Sequence, residues 1–165
     1  MARRICTEDI QYEKLEVHWA CRFVPLMKED DGVRLVGIGE VLRRIIGKCV
    51  LKVLSNDIQE AAGTLQTCAG IESGIEAAIH AMCRTFQEEW CEGVLLVDAD
   101  NAFNRLNRAA ALHNIKRSCP LLHQFLLNSY KSPAKLHLGD GTFILSEEGV
   151  TQGDTVAMAK YALGT

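Results

Sequence analysis

The fold is decided by Gly93-Val94-Leu95-Leu96-Val97-Asp98-Ala99-Asp100-Asn101-Ala102-Phe103. Four apolar residues follow a glycine and stop at an aspartate, and this pattern predicts a short strand that is buried on both faces. Asp98 would then stand at the edge of a sheet, where ligands tend to bind. Aspartate is also a good helix N-cap and turn residue, so this stretch alone leaves a purely structural role for Asp98 open.

The composition is that of one globular domain inside the cell. Of the 165 residues, 48% are hydrophobic and 24% are charged, which is typical of a chain with a buried core. No apolar run approaches the roughly 20 residues that span a bilayer, and the N-terminus lacks the apolar core of a signal peptide. We therefore expect no membrane partner and an intracellular setting. The seven cysteines form no C-x-x-C pair, so we interpret them as small buried hydrophobic residues.

Acidic residues are concentrated in the middle of the chain. Residues 53–100 carry nine Asp or Glu and a single Lys or Arg, whereas residues 1–52 have a net charge of +2 and residues 101–165 one of +3. The basic ends are compatible with contacts to phosphate groups. A solvated surface explains them equally well.

Turn residues predict two β-hairpins. Residues 22–28 and 33–38 are strand-like and flank an acidic turn, and residues 135–138 and 142–145 flank Gly139-Asp140-Gly141. Because strands alternate with helices in this chain, we expect an α/β (α+β) fold in which a mixed sheet packs on helices.

Hydrophobic periodicity predicts the helices. The first begins at Gly39, continues as far as Ala62 and stops at Gly63. Four basic side chains are predicted on the side opposite its apolar face: Arg43, Arg44, Lys48 and Lys52. Further helices are predicted over residues 73–88, over residues 108–118, from Pro120 and from Val156. The chain then ends abruptly, without a polar tail, and we interpret it as a fragment.

Two blocks of this sequence resemble catalytic blocks of one enzyme family. Val97-Asp98-Ala99-Asp100-Asn101-Ala102-Phe103 and Gly149-Val150-Thr151-Gln152-Gly153-Asp154 occur in the order, and with the intervening helices and hairpin, that are found in reverse transcriptases. Upstream, residues 24–34 are similar to the fingers hairpin of that family, and residues 68–80 to the segment before its catalytic strand. The resemblance runs from Phe23 to the C-terminus and is greatest to the polymerases of retroelements such as retrotransposons.

This resemblance implies a fingers-palm fragment with three parts. Residues 1–22 would form an N-terminal segment, residues 23–92 a fingers-like region and residues 93–165 a partial palm. The complete domain would be an RNA-directed DNA polymerase that binds an RNA or DNA template-primer and deoxynucleoside triphosphates.

The implied chemistry is phosphoryl transfer assisted by two Mg²⁺ ions, with Mn²⁺ as a possible substitute. Mg²⁺ prefers carboxylate, carbonyl and water oxygens. The resemblance assigns to Asp98 the carboxylate shared by both metals and to Ala99 a backbone carbonyl ligand.

The resemblance also implies residues that touch the nucleotide. Phe103 would lie beneath the incoming sugar, where its bulk would reject a 2′-hydroxyl, and a core aromatic is the alternative role. Gln152 and Gly153 match the loop next to template and nucleotide, where glycine permits close backbone approach. Lys28 and Arg34 would contact the triphosphate or the template backbone, or else be solvated turn charges.

Three departures from the family pattern bear on activity. Asn104 and Thr155 stand where many relatives have Asp and Pro. The second carboxylate block of the family, an aromatic-x-Asp-Asp hairpin, does not occur in this sequence, in which the only Asp-Asp pair is Asp30-Asp31. We therefore expect the chain to be inactive on its own.

Two other functions are compatible with the same residues. The segment from Val94 to Asp100 also resembles haloacid-dehalogenase-type phosphotransferases, in which the first aspartate of Asp-x-Asp is the nucleophile. Here that pair would be Asp98 and Asp100. The other alternative is a non-catalytic remnant that binds nucleic acid or protein without turnover.

Overall fold

A computed structural model describes residues 1–27, 32–67 and 70–165, without the side chains of residues 34 and 35. This part of the chain contains helices and a four-stranded mixed sheet, which confirms the predicted α/β class. The helices are α1 (Ala2–Thr7), α2 (Glu16–Trp19), α3 (Val41–Val53), α4 (Ser55–Ala62), α5 (Gly74–Phe86), α6 (Ala102–Arg105), α7 (Arg108–Ser118), α8 (Pro120–Tyr130) and α9 (Ala157–Gly164). The strands are β1 (Cys21–Met27), β2 (Val33–Gly39), β3 (Ala134–His137) and β4 (Phe143–Ser146).

The sheet consists of two hairpins joined side by side. Strands β1 and β2 pair antiparallel from Cys21 opposite Gly39 to Met27 opposite Val33, and β3 pairs antiparallel with β4. The short parallel contact between β1 and β3 gives the strand order β2-β1-β3-β4. Both predicted hairpins are confirmed. Their parallel junction was not predicted, because it joins segments that are distant in the sequence.

The predicted helices are largely confirmed, with one interruption. The helix expected to continue to Ala62 breaks at Leu54 into α3 and α4, and it ends at Gly63, whose φ of 73° suits glycine. Helix α7 begins where the Asn107 side chain accepts a hydrogen bond of 2.9 Å from the Ala110 N–H. Helix α8 begins with Pro120 in its first turn.

The core lies between α7, α8, α9 and the N-terminal segment. Residues 1–22 are integral to it, because Ile5 and Trp19 are each only 1% exposed and Trp19 meets Phe125 edge-on at 6.2 Å. Asn128 on α8 fixes this segment: its side-chain amide donates to the Ile5 and Glu8 carbonyls, and its carbonyl accepts from the Ile10 N–H. Among the described helices, none combines the length and apolar character that a membrane crossing requires.

The prediction of a buried strand over residues 94–97 is wrong. These residues lie in no strand, and the side chains of Leu95, Leu96 and Val97 are 79–87% exposed. A strand needs neighbours for its backbone hydrogen bonds, and none of the four described strands pairs with residues 94–97. Asp98 therefore does not stand at the end of a central strand here.

The loop between β4 and α9 is held by backbone contacts on two sides. The N–H groups of Gly149 and Val150 donate to the carbonyls of Leu106 and Phe103, at 3.0 and 2.7 Å. Gly149 has a φ of 70°, and a Cβ at this position would lie 2.4 Å from the Asn104 carbonyl oxygen. Only glycine fits here, because both the conformation and the space exclude a side chain.

Gly149→Ala is therefore expected to lower the free energy of unfolding by roughly 3 kcal/mol, the sum of backbone strain and a steric clash. Gly141→Ala is the matched control, because Gly141 has a φ of 85° but no atom near its Cβ position. It should cost only about 1 kcal/mol. Urea denaturation of both variants measures the difference, and equal losses would show that the contact with Asn104 is not formed.

Candidate functional site

Three residues that the sequence assigned to nucleotide contact lie together. Phe103, Gln152 and Gly153 line one open cleft of about 450 Å³. The remaining lining residues are Asp154, Ala157 and Met158. The cleft thus brings together residues from the stretch 97–103 and from residues 149–154, which we call the Gln-Gly loop.

The Gln-Gly loop is attached to the first hairpin. Gln152 forms an isolated parallel bridge with Val36 of β2, and its carbonyl accepts a 2.8 Å hydrogen bond from the Gly37 N–H. Gly153 has a φ of 99°, and a Cβ there would be 2.8 Å from the Gly37 carbonyl oxygen. The loop therefore packs backbone against backbone on β2, and Gly153 is the residue that permits this approach.

Phe103 is held by an aromatic neighbour. It lies on α6, is half-buried, and stacks on Tyr161 of α9 with ring centroids 4.8 Å apart and an angle of 23° between planes. Offset stacking of this kind fixes the orientation of a ring. Phe103 thereby joins the core at its edge and lines the cleft.

Asp98 and Ala99 lie in the irregular segment before α6 and are exposed. Asp98 precedes Phe103 by five residues, so their Cα atoms are at most about 18 Å apart. The described residues contain no group of three or more His, Cys, Asp or Glu side chains that could hold a metal ion. One carboxylate and one carbonyl do not by themselves make a Mg²⁺ site.

Lys28 and Arg34 are the other two residues predicted to contact the triphosphate or the template backbone. Lys28 lies outside the described residues. The structure describes the backbone of Arg34, which pairs with Leu26 in the hairpin.

Asp100, the second aspartate of the alternative Asp-x-Asp motif, forms an exposed ion pair of 3.0 Å with Arg105.

A buried ion pair that the sequence did not reveal lies behind the cleft. Asp154 accepts from the Arg43 guanidinium and from the Tyr130 hydroxyl, both at 2.5 Å. The side chains of Asp154 and Arg43 are 4% and 3% exposed, so both charges are withdrawn from water. Arg43 also donates to the Trp19 carbonyl at 3.3 Å. The expectation that Arg43 lies on the polar side of its helix is wrong, because this partner pulls it inward.

Two more cations anchor the start of the loop. Arg108 donates to the carbonyls of Gly149, Ser146 and Glu148 at 2.9, 2.7 and 3.0 Å. Lys160 on α9 is fully buried; its Nζ lies 3.3 Å from the Gly149 carbonyl oxygen and 3.6 Å from the centre of the Tyr130 ring. The ring of Tyr130 is thus surrounded by three cations, an arrangement that the negative face of an aromatic ring favours.

Burial changes the proton affinity of this cluster. It lowers the pKa of Lys160 to about 7, and the nearby Arg108 charge acts in the same direction. Burial also raises the pKa of the Tyr130 hydroxyl well above its usual value, so this group stays a hydrogen-bond donor. Burial alone would lower the pKa of Arg43, but the Asp154 carboxylate together with Tyr130 and Cys21 more than offsets it, and the pKa is raised.

The sequence held weak signals for this cluster. Gly47 and Val50 follow Arg43 by four and seven residues, so the three share one helix face. Neither Gly47 nor Val50 is exposed, and this face is the buried one. Lys160 is the one charged residue within the apolar helix α9. Neither signal identifies the partner, because Asp154 lies far from Arg43 along the chain.

Comparison with known proteins adds no assignment: no family model and no curated protein matches the sequence.

The pKa of Lys160 predicts a pH dependence of stability. In the unfolded chain lysine keeps a pKa of about 10.4, so above pH 7 the unfolded state binds more protons than the folded state. The free energy of unfolding should therefore rise between pH 7 and about 9, and this rise should be absent in Lys160→Met.

Urea denaturation at several pH values measures this slope for the wild-type chain and for two variants. Lys116→Met removes an exposed lysine from α7 and should keep the wild-type slope. If Lys160→Met also kept it, Lys160 would not be the group that titrates.

Proposed function

We propose that this chain is part of a template-directed nucleotidyltransferase of the reverse-transcriptase type, in which the cleft receives a nucleotide. The observation that carries the proposal is the position of Phe103, Gln152 and Gly153. These residues come from blocks that are far apart in the sequence, and they line one cleft.

The geometry of the cleft suits a sugar and a base. Phe103 offers a ring whose orientation is fixed by Tyr161. A rigid flat side chain can distinguish a deoxyribose from a ribose by bulk alone. Gly153 is exposed and has no side chain, so a base or phosphate can approach its backbone closely.

The polymerase proposal includes its cofactor and partners. Mg²⁺, or Mn²⁺ in its place, would be held by Asp98 and the Ala99 carbonyl together with ligands from elsewhere, such as substrate phosphates. Lys28 and Arg34 would contact the triphosphate or the template backbone. The partners are an RNA or DNA template-primer and deoxynucleoside triphosphates, in an intracellular setting.

A non-catalytic remnant is the second candidate. It is favoured because the described residues contain no group of three or more His, Cys, Asp or Glu side chains that could hold a metal ion. A haloacid-dehalogenase-type reaction has less support, because Asp98 and Asp100 lie in an exposed irregular segment and Asp100 is paired with Arg105.

Primer extension tests the proposal. The 165-residue chain should extend no primer, whereas a chain lengthened by an aromatic-x-Asp-Asp block should do so. Asp98→Asn in the longer chain should lower extension by about two orders of magnitude or more, because it removes a metal-binding charge and keeps the shape. Asp100→Asn should leave extension near wild type, whereas a phosphotransferase using Asp-x-Asp would lose activity in both variants.

The same assay tests the role of Phe103. Phe103→Val should keep DNA synthesis and relax the rejection of ribonucleotides, because it removes bulk without changing charge. Phe143→Val is the matched control, since Phe143 is an exposed aromatic on β4, outside the cleft. Extension by the short chain would refute the need for a second carboxylate block, and undiminished extension by the long Asp98→Asn variant would refute the role of Asp98.

A further inference from the structure

Helix α5 carries an apolar stripe that the described part of the chain leaves exposed. Ile75, Ile79, Met82 and Phe86 recur at helical spacing and are 39–58% exposed. Gly74 is the one buried residue of the helix. The exposed apolar residues 94–97 follow soon after, and we call residues 74–97 the arm. A contiguous apolar surface of this kind marks an interaction site.

A second exposed apolar stripe lies on α3. Leu42, Ile45 and Val53 are 42–77% exposed, and Cys49 lies between them on the same side. The neighbouring side of α3 is buried through Arg43, Ile46 and Gly47, whereas the stripe itself is exposed. The two stripes have similar spacing, because residues three or four, seven and eleven positions apart lie on one side of a helix.

The charges beside the two stripes are complementary. The α3 stripe is flanked by the exposed cations Arg44, Lys48 and Lys52, with no acidic residue within the helix. The end of the arm carries the exposed acids Glu88, Glu89 and Glu92, and no Lys or Arg follows before Arg105. A contact between the arm and the α3 stripe therefore buries apolar surface and also brings opposite charges together. This favours it over a contact between two arms.

We propose that the arm of one copy of this chain docks on the α3 stripe of a second copy, and that the reverse contact forms at the same time. Within one copy, α5 does not lie on α3, and its stripe stays exposed. A single helix-on-helix contact buries a small area compared with the roughly 1,200–2,000 Å² that stable interfaces bury. The dimer therefore needs both contacts, which are related by a twofold axis. This dimer does not depend on the proposed function.

Light scattering after gel filtration tests the oligomeric state. At about 100 µM the chain should have twice its mass of 18.2 kDa, since a Kd of the order of 10 µM already populates a dimer at that concentration. Raising the salt from about 0.15 to 0.5 M should weaken the dimer, because the charge contacts are exposed and screened. A monomer at this concentration would overturn the proposal.

Cross-linking tests the geometry in the wild-type chain. Cys49 beside the α3 stripe and Cys83 beside the arm stripe are both exposed. A short bis-maleimide applied to mixed ¹⁴N- and ¹⁵N-labelled chains should join Cys49 of one copy to Cys83 of the other. Cys83 joined only to Cys83 would indicate arm on arm, and Cys49 joined to Cys83 within one copy would indicate a folded-back arm. Either result would overturn the proposal.

Variants separate this surface from general association. The double change Lys48→Glu and Lys52→Glu should raise the dimer Kd at least about tenfold, because it reverses the charge that faces the arm. Lys116→Glu with Arg117→Glu makes the same change in net charge on the exposed side of α7 and should leave the Kd within about twofold. Equal effects of the two double variants on the dimer Kd would overturn the proposal. Circular dichroism checks that each variant is folded.

Discussion

The ion pair between Arg43 and Asp154 is the interaction on which the arrangement of the cleft depends. It joins α3 to the Gln-Gly loop, and both charges are almost completely removed from water. Buried charges of this kind are tolerated only when paired and hydrogen-bonded. Tyr130 and the Trp19 carbonyl supply the further hydrogen bonds. The pair therefore fixes where the loop can lie.

The rest of the cleft follows from that position. Once Asp154 is anchored, the preceding residues run along β2, where the Gln152 carbonyl accepts from the Gly37 N–H. At its start the loop is held by Arg108 and Lys160 through the Gly149 carbonyl, and by the backbone of α6. Phe103 belongs to the same short helix. The loop and the ring are thus held by connected contacts.

The sequence predicted what local patterns determine. Turn residues around Gly139-Asp140-Gly141 and the start of α8 at Pro120 identified their elements, because these signals act within a few residues. The strand over residues 94–97 was wrong because an apolar run does not reveal whether a neighbouring strand is present to pair with it. The buried pair of Arg43 and Asp154 was missed because charged residues are ordinarily exposed, and the partner is encoded far away.

Hydrogen exchange of the Gly37 amide tests most directly whether the buried pair positions the loop, since this N–H donates to the Gln152 carbonyl. Asp154→Asn removes the charge that balances Arg43 and keeps nearly the same side-chain shape. Exchange at Gly37 should accelerate at least about tenfold, whereas the Cys119 amide, bonded to the Ile115 carbonyl in α7, should keep its wild-type rate. An unchanged rate at Gly37, or an equal acceleration at Gly37 and Cys119, would contradict the role of the pair.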